Sequence, residues 1–514
     1  MPNKLLKSTA IVGGVTLISR IFGFIRDVVI AHTFGAGVAT DAFLVAFKIP
    51  NFMRRLFAEG AFSQAFTPVL SEYKTQRDKD EVQDLVNHVA GSLGGLLAII
   101  TLIGVLSAPL LIIIFAPGFL NQPDKYQLTI DMLKLTFPYL FFIALTAFAG
   151  SVLNTYGKFA IPAFTPVLLN ICMISATLFL SPYFEQPVMA LAWGVFIAGI
   201  MQLSFQIPFL LRLGLLPRPR FNLKHDGVSR IHRLMLPALF GVSVSQINLL
   251  FDTLLASFLI TGSVSWLYYS DRLMEFPVGV FGLALATVIL PNLSKLVAKQ
   301  DNEAFEATLD WALRWVFLIG VPCTFGLSIL AVPMLTTLFY GGEFGQHDIE
   351  RASQSLVAYS VGLTGFVLIK VLASGFYSRQ DTKTPVKVAV VSMVSNMLLN
   401  LAFIYHLQHV GLALATSIAA LINASLLYYY LRQQQVFTPL AGWQTFLIRI
   451  AAATTLMAAL LAWGSGSIEH WVAISLFDRV TQLFLWIGLG MVSYFGGLFV
   501  FGMRLQHIHN PLVK

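Results

Sequence analysis

Apolar runs of roughly twenty residues, the length an α-helix needs to cross the hydrocarbon core of a bilayer, recur along the whole chain with only short polar breaks between them. The stretch SLGGLLAIITLIGVLSAPLLIIIF, residues 92–115, contains no charged residue. Of 514 residues, 57% are hydrophobic and 11% are Asp, Glu, Lys or Arg, where a soluble domain carries about 25% charged residues. No water-soluble fold hides that much apolar surface, so the solvent is lipid. The pattern predicts an all-α polytopic membrane protein of about fourteen spans, near 9–33, 40–70, 86–116, 130–154, 160–182, 187–212, 234–261, 265–295, 310–338, 352–378, 384–405, 410–431, 443–464 and 478–502.

The net charge of +8 does not mark a nucleic-acid binder, because the basic residues recur in alternate loops instead of forming one patch. One set of loops holds Lys4 and Lys7, Lys74 to Lys79, Lys158, the cluster from Arg212 to Arg233, Lys295 and Lys299, Arg379 and Lys383, and Arg432. The opposite set has Lys125 and almost nothing else basic. Basic loops stay in the cytoplasm, so both termini are expected there, with the first helix retained and not cleaved as a signal peptide. Cys172 and Cys323 sit within apolar runs and read as small core hydrophobes, not a disulfide or zinc framework.

An internal repeat is visible. Pro68-Val-Leu-Ser71 matches Pro291-Asn-Leu-Ser294, Pro162 matches Pro385, and Ala190-Leu-Ala192 matches Ala413-Leu-Ala415, all at one offset of 223 residues. Six spans per copy is an even number, so the copies share one orientation, as parallel-repeat transporters do. The expected organisation is two six-helix lobes around a central cavity, 1–215 and 234–437. A basic amphipathic linker at 216–233 joins them on the inner leaflet as a hinge, and two more spans occupy 438–514.

Charge inside a span is expensive, about 2.5–3.5 kcal/mol per residue at the membrane centre. It is concentrated in three places: Arg20, Arg26 and Asp27 in the first span; Asp41, Lys48, Arg54, Arg55 and Glu59 in the second; and Asp271, Arg272 and Glu275 in the eighth. Lys48 and Asp271 are related by the repeat offset. Arg55 with Glu59 and Arg272 with Glu275 have the spacing of local ion pairs, whereas Arg20 and Arg54 have no evident partner at helical spacing. These charges would serve either as mutually neutralising pairs or as phosphate ligands, for which the planar, always-charged guanidinium is suited. Gly13, Gly14, Gly23, Pro50 and Pro277 supply bends. A second group, Asp252 with Asn396, Asn400 and Thr416, offers only oxygen-bearing side chains; it suits Na⁺ or a proton relay, or else plain interhelical hydrogen bonding. Lys370 would be a snorkelling lysine or an internal counter-ion. Neither a G-x-x-x-x-G-K-[ST] loop nor H-E-x-x-H occurs, and no soluble domain is present to hydrolyse ATP, which argues against an enzyme.

The run RIFGFIRDVVIAHTFGAGVATDAFLVAFKIPNFMRRLFAEGAFSQAFTPVLSEY closely resembles the opening of the MurJ/MviN family. SVSWLYYSDRLMEFPVGVFG and GFYSRQDTKTPVKVA resemble later motifs of that family, within the multidrug, oligosaccharidyl-lipid and polysaccharide exporter superfamily. The resemblance implies a lipid II flippase of peptidoglycan biosynthesis in the bacterial inner membrane, a monomer whose partners are membrane lipids and undecaprenyl-diphosphate-linked disaccharide pentapeptide. It implies a cationic cavity using Arg20, Arg26, Arg54 and Arg272, functional roles for Asp41 and Glu275, and a lipid-tail groove on the last two helices. It also implies a sodium site, found in some members, at Asp252, Asn396, Asn400 and Thr416, with no other cofactor. Alternating access, driven by membrane potential, a cation gradient or both, is the expected mechanism. A cation-coupled multidrug or polysaccharide-lipid exporter would favour carboxylates over the arginines of the first lobe. A membrane-embedded glycan polymerase would need larger outer loops.

Overall fold

The computed structural model describes residues 2–56, 62–222 and 224–504, with backbone alone for 2–11, 236–245 and 283. Glu59, expected to pair with Arg55, lies outside the described residues. Everything regular among the described residues is helical. Among the described residues, ten segments are long and apolar enough to cross a membrane, including Lys79–Leu106, Met189–Leu213 and Leu476–Val500. The 51-residue segment Lys383–Gln433 breaks at Gln408, whose backbone turns to φ 50°, ψ −131°. The charged helices 2–34 and 38–54 are not in that set, and the second of them has 17 residues.

Two compact units divide the chain, residues 1–264 and 265–514. The first contains α1 (Pro2–Phe34), α2 (Val38–Arg54), α3 (Ser63–Gln76), α4 (Lys79–Leu106), α5 (Ala108–Phe115), α6 (Pro123–Thr136), α7 (Tyr139–Thr155), α8 (Ala160–Ser175), α9 (Met189–Leu213) and α10 (Asp226–Ala256). Its inner core joins Phe66, Leu70, Leu85, Val152 and Leu210 to Val228 and Ile231 of α10. The helix expected to open the second lobe therefore begins packed into the first unit. The second unit contains α11 (Ser263–Pro277), α12 (Leu283–Ala298), α13 (Asn302–Ile329), α14 (Ala331–Phe339), α15 (Gln346–Tyr377), α16 (Lys383–Gln433), α17 (Trp443–Gly464), α18 (Ile468–Ala473) and α19 (Leu476–Val500). A π-helical segment, Val278–Gly282, follows Pro277, whose missing N–H relaxes the hydrogen-bond ladder there.

The 223-residue repeat is written into local geometry. Asp78 caps α4 by accepting from Glu81 N–H at 2.9 Å, and Asp301 caps α13 by accepting from Ala304 N–H at 3.0 Å. Gly157 and Gln380 both take a left-handed backbone, φ 75° and 63°. After α9 the chain runs as an extended strap along α4: Gln83 Nε2 donates to Leu216 O at 3.0 Å, and Asn87 accepts from the N–H groups of Arg218 and Arg220 at 2.6 and 3.0 Å. Glu306 and Asp310, the repeat partners of Gln83 and Asn87, accept from Thr438 N–H at 2.9 Å and Leu440 N–H at 3.1 Å. Each copy thus clasps the segment after its sixth span with the same two positions. Gly91 makes room for the first strap, since a Cβ there would lie 2.3 Å from the Arg220 carbonyl oxygen. The linker read as amphipathic is therefore extended over its first residues and pinned to α4, and α10 begins at Asp226. On the same end, Arg230 grips Glu72 at 2.7 Å, and its guanidinium holds that carboxyl below its ordinary value.

Candidate functional site

In the first unit the arginines of the charged helices are not equivalent. Arg20 is exposed on α1. Arg54 is half-buried at the end of α2, where its Nε donates to Asn51 Oδ1 at 2.8 Å. Asn51 is the partner at helical spacing that the sequence reading overlooked, because an amide is not a counter-charge. Arg26 is different. It is buried, its Nε and one terminal nitrogen reach Asp27 Oδ1 at 3.0 and 2.7 Å, and its other terminal nitrogen donates to Asn170 Oδ1 on α8 at 3.1 Å. Asn170 in turn donates to Ser19 O at 3.1 Å. This network ties α1 to α8 and compensates the desolvation of the ion pair with further hydrogen bonds.

Asp41, in the first turn of α2, is 1% exposed. Its Oδ2 accepts from Lys125 Nζ at 2.8 Å and from Gly262 N–H at 2.8 Å, and Lys125 lies over the Phe119 ring at 4.2 Å. The segment 117–122 that precedes Lys125 is held by the same neighbourhood. Gly118 N–H donates to Ser257 Oγ at 3.0 Å, and a Cβ at Gly118 would lie 2.2 Å from the Ser257 carbonyl oxygen. Lys125 was missed as a site residue. The available signal was its position, a lysine on the side of the chain that otherwise avoids them. Asp252, on α10, is half-buried in the same unit.

In the second unit Arg272 is half-buried on α11, paired with exposed Glu275 at 3.2 Å as their i, i+3 spacing led one to expect, and stacked over the Tyr268 ring at 4.8 Å. Tyr268 positions the guanidinium plane by cation–π attraction. The two asparagines of α16 do share a face. Asn400 Nδ2 donates to Asn396 Oδ1 at 2.8 Å, Asn396 Nδ2 donates to Thr416 Oγ1 at 3.2 Å, and both asparagines are buried. The break at Gln408 is what folds Thr416 back beside Asn396. Lys370 is exposed on α15. Cys172 and Cys323 are free and half-buried.

The family described as lipid II flippase MurJ matches residues 30–482. The chain belongs to that family. A probable lipid II flippase MurJ of Vibrio cholerae serotype O1 is 50% identical over 512 residues, covering 98% of both chains. One from Haemophilus influenzae is 47% identical over 96% of this chain and 99% of its own. The lipid II flippase MurJ of Burkholderia cenocepacia is 40% identical over 98% and 99%. Among solved structures, a lipid II flippase MurJ in an inward closed conformation matches 96% of this chain and 99% of its own with a TM-score of 0.81 at 27% identity. A multidrug resistance MATE family transporter of the MOP superfamily, inward-facing, matches 83% and 97% with a TM-score of 0.68 at 14% identity, a likeness of fold alone. In this member of the MurJ family, ATDAFLVAFKIPNFMRR on α2 holds buried Asp41 and half-buried Arg54, and SVSWLYYSDRLMEFP on α11 holds half-buried Tyr268 and Arg272.

Proposed function

We propose that this chain moves lipid II, undecaprenyl-diphosphate-linked disaccharide pentapeptide, from the cytoplasmic to the periplasmic leaflet of the bacterial inner membrane by alternating access. The observation that carries the reading is 50% identity over 98% of both chains with a probable lipid II flippase, and 40% over 98% of this chain with a lipid II flippase. The reaction is transport; no bond of the substrate is made or broken. Arg20, Arg54 and Arg272 supply charge to the diphosphate, being exposed or half-exposed. Arg26 would join them only by leaving Asp27 and Asn170, and Glu275 sets the resting place of Arg272. A monomer suffices for this scheme.

Fourteen passes are supported by counting the two arms of α16 separately and adding the charged helices 2–34 and 38–54 and the helix 226–256 to the apolar set. An inside-negative potential favours outward movement of an anion by about 2.3 kcal/mol per charge per 100 mV, so ATP is not required. Na⁺ coupling that resets the carrier is carried in the second unit by the hydrogen-bonded Asn396–Asn400–Thr416 chain, a shared polar locus on α16, and in the first unit by the carboxylate of Asp252.

The test is transbilayer movement of lipid II in proteoliposomes, with imposed potential and with sodium. Potential-dependent movement, slowed in Asp252→Asn when sodium alone is varied, is expected. Absence of movement under every condition would sink the flippase reading, and sodium-insensitive turnover of both proteins would sink the sodium site alone.

Both termini and the 216–233 linker are assigned to the cytoplasm. In a chain with Cys172 and Cys323 replaced, a cysteine at exposed Lys224 is expected to react only with reagents that enter the cell, and one at Gly37, where a Cβ meets nothing within 4 Å, with impermeant reagents outside. The reverse labelling pattern would overturn the orientation.

A further inference from the structure

Beside the clasp on the first strap lies a group of side chains that the clasp does not need. Asp84 and His88 on α4, with Arg220 and His225 on the strap, surround one carboxylate. At the repeat offset their counterparts are Ala307, Trp311, Trp443 and Ile448, which offer no metal-binding side chain. Yet the second strap is clasped equally well by Glu306 and Asp310. The cluster is therefore an addition peculiar to the segment between α9 and α10.

We propose that Asp84, His88 and His225 form a binding site for a transition-metal dication of the zinc class. One ligand atom from each residue lies within 4.8 Å of the others. Asp84 Oδ2 is 3.2 Å from His88 Nδ1 and 3.3 Å from His225 Nε2. Those separations approach the edge, about 3.4 Å, of a tetrahedron whose bonds are about 2.0–2.1 Å. The two imidazoles stack with centroids 4.7 Å apart and planes 20° apart, which brings their nitrogens to the same carboxylate. One further contact sets the second ring: His225 Nδ1 accepts from Gly227 N–H at 3.2 Å, which turns Nε2 toward the carboxylate. Two imidazoles with one carboxylate select Zn²⁺, Co²⁺ or Ni²⁺ over Mg²⁺ and Ca²⁺, and the fourth position goes to water. The side chains of His88, His225 and Asp84 are 14%, 18% and 41% exposed, so an ion has access from solvent.

Three contacts oppose loading and shape it. His88 Nδ1 donates to the Asp84 carbonyl oxygen at 2.9 Å, so an ion on that nitrogen displaces the ring proton and breaks the bond. Arg220 lies 3.5 Å from Asp84 Oδ1, the oxygen that the histidines do not use, and so leaves Oδ2 to the ion. His225 caps α10 through Nδ1, so a metal on Nε2 moves the ring proton to Nδ1 and releases that cap. Loading thus exchanges a helix cap for a cross-link between α4 and the strap.

The experiment uses the full chain, purified without a histidine tag, titrated with CoCl₂ and then ZnCl₂. One Co²⁺ per chain is expected, with the visible bands of a four-coordinate ion, displaced by Zn²⁺, and Zn²⁺ raises the unfolding temperature. Asp84→Asn, His88→Gln and His225→Gln are each expected to weaken binding by more than about tenfold. His88→Gln leaves the α10 cap untouched, so it remains informative where His225→Gln folds poorly, and metal-free unfolding reports on folding in each. The absence of saturable one-to-one uptake overturns the proposal. Uptake unchanged in His88→Gln and Asp84→Asn, an adventitious ion only, overturns it as well.

Discussion

Arg54→Ala is expected to abolish support of growth when it is the sole copy in a depleted host, and Arg54→Lys to restore little of it. Asn51 accepts from Arg54 Nε at 2.8 Å and so fixes the plane of the guanidinium at the end of α2. A planar fork presented in this way binds two phosphate oxygens at once, which a single ammonium on a flexible stem cannot do. Hydrogen bonds to charged groups contribute about 1.5–3 kcal/mol each. Losing two costs more than about a hundredfold in substrate binding, at about 1.4 kcal/mol per tenfold. Arg20→Ala and Arg272→Ala should behave alike. Arg26→Ala should differ in kind, because it strands Asp27 in a buried place and lowers folded yield before it touches transport. The measurement is complementation and lipid II binding at matched membrane abundance. Full activity of the Arg20, Arg54 and Arg272 alanine variants at normal abundance would show those charges to be structural.

Lys125→Met is expected to destabilise the first unit by about 3–5 kcal/mol, the cost of leaving one member of a buried ion pair uncompensated. Lys125 and Asp41 are 2% and 1% exposed and 2.8 Å apart, and the same Asp41 oxygen accepts from Gly262 N–H at 2.8 Å. Asp41→Asn alone leaves the lysine uncompensated and should cost a similar amount. The double variant Asp41→Asn/Lys125→Met removes both charges while the amide oxygen still accepts from Gly262 N–H, so thermal stability should recover most of the loss. This separates two roles for Asp41. A carboxylate needed only to hold Lys125 and Gly262 regains transport in the double variant together with stability. A carboxylate needed by the substrate cycle regains stability and not transport. If neither single variant lowers the unfolding temperature, the pair does not hold this end of the unit together.

The repeat offset, read from prolines and alanines, foretold correspondences that have no sequence identity. Asp78 and Asp301 are identical residues in identical caps, but Asn87 and Asp310 do the same work with different side chains, and Gln83 and Glu306 reverse donor and acceptor. What must be satisfied is the polar backbone of an extended strap, and either chemistry satisfies it. Arg272 with Glu275 and Asn396 with Asn400 were legible because helical spacing of three or four residues brings side chains together on one element. Asn170 beside Arg26, and Lys125 beside Asp41, were not legible, since each pair is separated by many residues and joined only when helices pack.

The sequence by itself determined the solvent, the helical class, the repeat and which helices carry charge, because each follows from composition, run length or local spacing. Lipid demands helices whose backbone is satisfied internally, and that demand acts residue by residue along the chain. Only the tertiary structure decided which of those charges are already neutralised. Arg26 and Asp41 look costly in sequence, yet packing gives them Asn170, Lys125 and the Gly262 amide as partners. Pairing a buried charge is a matter of distance in space, a few ångströms between elements remote in sequence, and no local pattern encodes it.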